Sequence, residues 1–239
     1  MKNIALIFAG GTGQRMNNKT KPKQFLELHG KPIIVYTAEH FQYHEKIDEI
    51  IIVCISEWIN YCTELVKKYN LNKVCSIVPG GSTGQESIFN GVRKAAELFP
   101  SQSVILVHDG VRPLINAEII SNCIEKTVES GSAITVAPAV ETVVINDRNN
   151  DVTEILDRSK CMLARAPQCF ILGELYSAHK KAISENKTNF IDSASLMKYY
   201  GYDLFTVDGS AENIKITTPI DFYIFRSIIE AEENYQIFG

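Results

Sequence analysis

The sequence predicts an α/β fold: a Rossmann-like, mixed but mostly parallel sheet with helices on both faces, plus a projecting β-hairpin arm. Three observations carry that expectation. Short runs rich in β-branched residues alternate with segments of helical period as far as position 138. The first of these runs ends directly on glycines, as strands do when they bring the chain to the carboxyl edge of an open sheet. Beyond position 138 the rhythm gives way to two apolar runs flanking a polar turn, the pattern of a hairpin.

In chain order, strands are expected over 4–9, 49–55, 74–78, 103–108 and 133–138, with helices over 32–41, 58–69, 86–99 and 117–129 between them. In the helix over 86–99, Ile88, Val92, Ala95 and Phe99 share one face and mark its inward stripe. The arm comprises 140–145, the turn Asn146-Asp147-Arg148-Asn149-Asn150, and 152–156. A two-stranded hairpin is marginal alone in water, so this one is expected to pack on something, and a second subunit is a natural candidate. The last helix has Thr218 as its N-cap, Pro219 in its first position and Asp221 in its third, where the positive end of the helix dipole favours a carboxylate. Phe222, Phe225 and Ile229 form its apolar stripe. With no repeat, low-complexity tract or linker, residues 1–239 read as a single domain with 139–160 as an arm subregion.

Composition narrows the function classes. A chain of 239 residues with 45% hydrophobic and 22% charged residues has enough apolar material for a large core without staples. Its six cysteines form no CxxC pair and no Cys/His group with zinc spacing, so reduced thiols are expected, several of them in core strands. A net charge of -4 without a basic cluster argues against nucleic acid as a partner. No stretch approaches a membrane span and no leader precedes the first strand, which makes the cytoplasm the default location.

The most informative segment runs from Phe8 through Ala9-Gly10-Gly11-Thr12-Gly13-Gln14-Arg15-Met16 to Pro22-Lys23-Gln24. Three glycines in four positions let backbone N–H groups approach phosphate oxygens, and Arg15 and Lys23 supply charge. Two commoner phosphate loops fail. A dinucleotide fingerprint needs a third glycine where Met16 stands, and a P-loop needs Lys-Ser/Thr where Gln14-Arg15 stands. A plain structural turn remains the alternative for the glycines alone.

Together these residues resemble the signature of the cytidylyltransferases that activate phosphorylated sugar alcohols, the family of the methylerythritol phosphate and ribitol phosphate enzymes. The resemblance continues in order through Val107-His108-Asp109-Gly110-Val111-Arg112-Pro113, Asp157-Arg158, Pro167-Gln168-Cys169-Phe170 and Glu212-Asn213-Ile214-Lys215-Ile216-Thr217, covering nearly the whole chain. It implies transfer of CMP from CTP to a phosphorylated polyol with release of pyrophosphate. It also implies Mg²⁺ as cofactor and a homodimer whose subunits exchange the 139–160 arm.

The resemblance assigns roles residue by residue. Arg15 is expected on the leaving phosphates, and Lys23 and Lys215 on the α-phosphate. Ala9, Gly10, Gly11 and Gly13 would cradle the triphosphate, while Gly81, Ser82 and Ser87 would meet cytosine and ribose. Asp109, at the carboxyl end of an apolar strand, is the expected metal ligand; Mg²⁺ takes one or two carboxylates together with phosphate oxygens and water. Arg112, Thr142 and Arg158 are expected on the acceptor, the last two on or beside the arm. His108 reads as a packed strand residue, since an acceptor that is already an anion needs no base.

Two departures bear on the acceptor. Gly84 stands where relatives usually carry arginine, and Ile191 where many methylerythritol enzymes place a phosphate-contacting threonine. Losing a hydrogen bond to a charged group is worth about 1.5–3 kcal/mol, which favours a sugar-alcohol phosphate such as ribitol 5-phosphate. Asp157-Arg158 instead resembles the methylerythritol type. Three readings therefore stay open: a polyol-phosphate cytidylyltransferase, its methylerythritol phosphate counterpart, and a nucleotide-binding protein without turnover.

Overall fold

In β1 (Asn3–Ala9), side chains alternate between two apolar faces, Ile4 and Leu6 on one and Ala5, Ile7 and Ala9 on the other. A strand buried on both faces must lie between two layers of helices. The computed structural model describes residues 1–11 and 21–238, with side chains through Tyr235.

The further strands are β2 (Glu27–Leu28), β3 (Lys31–Pro32), β4 (Glu49–Cys54), β5 (Val74–Pro79), β6 (Val104–Asp109), β7 (Ser132–Pro138), β8 (Val144–Asn146), β9 (Val152–Ile155), β10 (Met162–Ile171) and β11 (Thr206–Asp208). The helices are α1 (Ile33–Gln42), α2 (Ile59–Lys68), α3 (Gly84–Leu98), α4 (Ala117–Ser130), α5 (Leu172–Ser184), α6 (Ser193–Tyr199) and α7 (Pro219–Phe238). Among the described residues, seven strands form one sheet in the order β11-β7-β10-β6-β1-β4-β5. β10 runs antiparallel to both neighbours and the other pairs are parallel, so the sheet is mixed and mostly parallel, as expected.

Both faces are covered. Residues of α1, α2 and α4 pack on Ala5, Ile7, Ile50 and Ile52, and residues of α3, α5 and α6 pack on Ile4, Leu6, Ile51 and Val53. The expected stripe of α3 is realised, with Ile88, Val92 and Ala95 buried and Phe99 packed beside them. A third cluster joins Leu28, Ile33, Val111 and Ile216 to Phe225 of α7, flanked by Phe222 and Ile229.

Local chemistry sets the boundaries. α3 starts at Gly84 because the Thr83 hydroxyl accepts the Glu86 N–H at 3.1 Å, and α4 starts where the Asn116 side chain accepts the Ile119 N–H at 2.9 Å. Gly131 closes α4 at φ +87°, in the left-handed region. Thr218 precedes α7 as expected, but its hydroxyl is buried without a hydrogen-bond partner; the cap comes from Asp221, which reaches back to the N–H groups of Thr217 at 2.8 Å and Thr218 at 2.7 Å. The helix expected over 58–69 is preceded by a 3₁₀ turn, Ser56–Trp58. All six cysteines are free, and Cys54, Cys62, Cys123 and Cys169 are buried in the core.

The hairpin forms as β8 and β9, and every residue of both strands is exposed. Ile155 is 68% and Val152 58% exposed, so the arm projects instead of lying on its own chain. The elements not assigned from sequence, β2, β3, β10, α5, α6 and β11, include the reversed strand β10. Its pattern is broken by Pro167 and by a register shift between Ala164 and Gln168.

Close packing of α3 on the sheet depends on Gly91. A Cβ there would collide with the Leu6 side chain and lie 2.7 Å from Val53 Cγ2. Gly91→Ala gains about 1 kcal/mol of helix propensity but loses about 1–3 kcal/mol to overpacking, so urea denaturation is expected to show net destabilisation. An unchanged or raised midpoint would refute this packing account.

Candidate active site

β1 lies between β4 and β6, and the chain fills the two sides of the sheet in separate passes, which leaves a crevice at the carboxyl ends of β1 and β6. Phe8 pairs in register with Asp109, so the glycine loop after Ala9 and the carboxylate ending β6 emerge side by side. Gly10 and Gly11 follow Ala9, whereas Gly13 and Arg15 lie outside the described residues. Gln24 anchors the loop entrance by donating to the Ala9 carbonyl at 2.6 Å and to the Gly11 carbonyl at 3.4 Å. The Pro-Lys-Gln segment thus contributes more than the charge of Lys23, a role the sequence did not reveal.

The loop after β5 meets this one. A Cβ on Gly10 would lie 2.8 Å from Ser87 Oγ and 3.4 Å from Gly80 Cα, so the two backbones touch only because both residues are glycines. Ser87 is buried; its hydroxyl accepts from the Gly81 N–H at 3.0 Å and donates to the Thr83 carbonyl at 2.9 Å. Ser82 is exposed and bonds Glu86 through both its N–H and its hydroxyl. Ala9, Gly10, Gly81 and Ser87 are therefore brought together, with Ser82 at the rim.

Asp109 is 6% exposed and holds two cations. Its Oδ1 lies 2.5 Å from Lys215 Nζ and its Oδ2 accepts from Arg112 Nε at 2.8 Å. Burial alone would push this carboxyl up, but Lys215 and then Arg112 outweigh it and hold the pKa down at about 2. Lys215 comes from the far end of the chain because its neighbours are pinned. Ile216 is fully buried and donates its N–H to the Val111 carbonyl, and buried Asn213 donates to the Ala166 carbonyl at 2.7 Å. The Asn213 carbonyl accepts from Arg112 at 2.8 Å and from Arg165 at 3.1 Å.

A cavity of about 310 Å³ opens over this cluster, lined in part by Phe8, Gly84, Asp109, Arg112, Arg165, Gln168, Ile191 and Lys215. Arg165 was missed from sequence because nothing marks an arginine in a broken strand pattern. Gln168, within the Pro-Gln segment, donates to Asp192 at 2.8 Å and accepts the Ala194 N–H at 2.9 Å, docking the start of α6 beside the cavity. Ile191 is 95% exposed there, and a Cβ on Gly84 would meet open space. A larger cleft of about 530 Å³ lies between α1, the 113–117 loop and α7. Its His40 and His44 are bonded to backbone carbonyls, and the glycine loop does not line it.

His108 is fully buried, packs on Phe41 at 5.1 Å and bonds the Arg112 carbonyl. Burial pushes its pKa down to about 4, so it is neutral at pH 7. Thr142 and Arg158 are exposed on and beside the arm and do not line the cavity of their own chain; Arg158 donates to the Val140 carbonyl at 3.0 Å. No group of three or more His, Cys, Asp or Glu side chains suited to a metal occurs among the described residues. Asp109 is the one carboxylate at the glycine-loop side of the cavity among the described residues, the hard-oxygen donor a divalent cation could share with substrate phosphates and water, and both of its oxygens are engaged by Lys215 and Arg112.

A cationic, carboxylate-anchored cavity beside a glycine loop at the switch point of an α/β sheet defines an enzyme of the nucleotidyltransferase class. The model of the 2-C-methyl-D-erythritol 4-phosphate cytidylyltransferase family matches residues 3–231, and the chain belongs to that family. It is 54% identical over 237 residues to a ribitol-5-phosphate cytidylyltransferase of Vibrio parahaemolyticus serotype O3:K6, covering 99% of this chain and 100% of that protein. It is 36% identical over 229 residues to a 2-C-methyl-D-erythritol 4-phosphate cytidylyltransferase of Clostridium botulinum, covering 96% and 98%. The crystal structure of 4-diphosphocytidyl-2C-methyl-D-erythritol synthase from Anaerococcus prevotii superposes with a TM-score of 0.81 at 25% identity, over 96% of this chain and 98% of that one.

The depressed pKa of Asp109 predicts an acid dependence of stability. The unfolded carboxyl titrates near 3.8 and the folded one at about 2, so its stabilisation is complete above the first value and is lost as the pH falls through the second. Asp109→Asn should be less stable than the parent at pH 7, with the gap closing between about pH 4 and pH 2. Denaturant titrations across that range test this; a pH-independent gap would show that the ion pairs do not set the carboxyl's pKa.

Proposed function

We propose that this chain transfers CMP from CTP to ribitol 5-phosphate, forming CDP-ribitol and pyrophosphate. The observation that carries nucleotidyl transfer is the Asp109 carboxylate with Lys215 and Arg112 upon it, beside the glycine loop. The choice of acceptor rests on the greater identity to the ribitol-5-phosphate enzyme, 54% against 36%. Asp157-Arg158, the one motif that pointed the other way, lies on the exposed segment beside the arm.

In this reaction an acceptor phosphate oxygen attacks the α-phosphorus. A new P–O bond forms as the bond to the bridging oxygen breaks, and pyrophosphate leaves with the electron pair. The work is positioning and charge stabilisation. Lys215 and Lys23 would steady the α-phosphate, Arg15 the leaving phosphates, and Ala9, Gly10, Gly11 and Gly13 the triphosphate backbone. Gly81, Ser82 and Ser87 would take the nucleoside, with Arg112 on the acceptor side. Mg²⁺ held by Asp109 and phosphate oxygens would supply further neutralisation. No general base is needed, which accords with a buried, neutral His108.

A homodimer fits the projecting arm. Its exposed Val140, Val144, Ile145, Val152 and Ile155 need cover, and Thr142 and Arg158 would complete the acceptor site of the partner subunit. A single compact unit over 1–239, apart from this arm, and a cytoplasmic location belong to the same reading.

Pyrophosphate release with CTP, Mg²⁺ and a panel of polyol phosphates is expected to be greatest with ribitol 5-phosphate and to stop on chelation. Preference for 2-C-methyl-D-erythritol 4-phosphate would reassign the acceptor, and no release with any acceptor would favour a silent nucleotide binder. For the arm, mixed Arg15→Ala and Arg158→Ala protomers should recover activity that neither has alone. Heterodimers that stay inactive would place both residues in one chain's site.

A further inference from the structure

We infer that Arg165 is a specificity-determining residue that binds the phosphate of the acceptor; this rests on the reaction proposed above. Among the described residues, the other cations of the cavity are committed: Arg112 and Lys215 both lie on Asp109. The second carboxylate, Asp192, is occupied by the Gln168 amide and by the Ser195 N–H that starts α6. Arg165 has no ion pair among the described residues. Its one hydrogen bond runs from Nη1 to the Asn213 carbonyl, and its buried Nε has no partner. A half-buried guanidinium without a counter-charge costs free energy that an anionic ligand would recover.

Strand order says which anion. The glycine loop follows β1, and the Gly80-Gly81 loop follows β5 on the same side of β6. β10, which carries Arg165, lies on the opposite side of β6. Arg165 therefore faces the cavity from across Asp109, away from the two glycine loops and next to Ala164, Ala166 and Ile191. The triphosphate occupies the loop side, so the anion left for Arg165 is the acceptor's phosphate. Both guanidiniums donate to the Asn213 carbonyl, which sets Arg165 beside Arg112; with Arg112 already neutralised by Asp109, Arg165 is the one whose charge an acceptor phosphate would meet.

Apart from Arg165, Arg112 and Lys215, the cavity's polar side chains are uncharged or anionic: Gln168 and Asp192 are engaged with each other, Ser193 offers a hydroxyl, and Ile191, Gly84, Ala164 and Ala166 bring no polar side chain. Among the described residues, the positive charge that would select a phosphorylated acceptor then comes from Arg165 together with Arg112.

Steady-state pyrophosphate release with CTP, Mg²⁺ and ribitol 5-phosphate tests this in Arg165→Gln and Arg165→Lys. The KM for ribitol 5-phosphate should rise about 10- to 100-fold in the glutamine variant and less in the lysine variant, which keeps the charge. The KM for CTP should stay unchanged. An unshifted acceptor KM, or a shift confined to CTP, would overturn the assignment. So would equal rises in both KM values with a lowered melting temperature, the mark of a residue that only ties β10 to Asn213. Should the glutamine variant fail to fold, the lysine variant carries the same test. If the parent chain releases no pyrophosphate with any polyol phosphate, the proposed reaction falls and this assignment with it; turnover by the parent with unshifted variants removes Arg165 alone.

Discussion

The carboxylate of Asp109 organises the site because it is buried where a lone charge could not stay. At the end of β6 it is 6% exposed, and removal from water would favour its protonated form. Two cations reverse that preference, and they come from different places: Arg112 from the turn directly after the strand, Lys215 from a loop more than a hundred residues on. The larger of the two stabilising charges reaches the anion only when that distant loop returns to it. The loop's own anchors, Ile216 in an apolar cluster and Asn213 on the Ala166 carbonyl, show how the chain secures this return without relying on the ion pair alone. Site chemistry and tertiary closure are therefore linked through one side chain.

The parallel half of the sheet was legible because burial on both faces writes an unbroken apolar run, and helices between strands carry their own period. Asp109 was legible as a carboxylate at the end of such a run, and Lys215 only through its motif. What escaped was whatever depends on contacts remote in sequence. β10 pairs between β6 and β7 in the reverse sense, and Pro167 with the shifted register hides its alternation. Gln24 and Gln168 act through bonds to backbone groups that no residue spacing announces. Arg165 looks like any surface arginine until the fold shows that no carboxylate among the described residues pairs with it. Arg15 and Gly13 lie in 12–20, outside the described residues, so their expected roles rest on resemblance.

The reversed strand also connects two features that otherwise look separate. β10 begins at Met162, just after the arm, with Met162, Leu163 and Ala164 exposed, and is buried from Ala166 to Phe170. Arg165 stands at that change from exposed to buried. The same strand thus carries the exposed apolar arm into the wall of the cavity, and its first residues pair with Ala137 and Pro138 at the end of β7. A partner covering the arm would bury Met162 and Leu163 as well, fixing the strand on the solvent side of Arg165. Beyond it, Asn213 and the core already hold the strand. Because the guanidinium lies between these two supports, order at the subunit contact would reach the acceptor half of the cavity through covalent continuity and ladder hydrogen bonds, with no moving element required. The glycine loops, on the far side of β6, do not share that route, so in the proposed dimer the arm would bear on the Arg165 side of the cavity more than on the glycine loops.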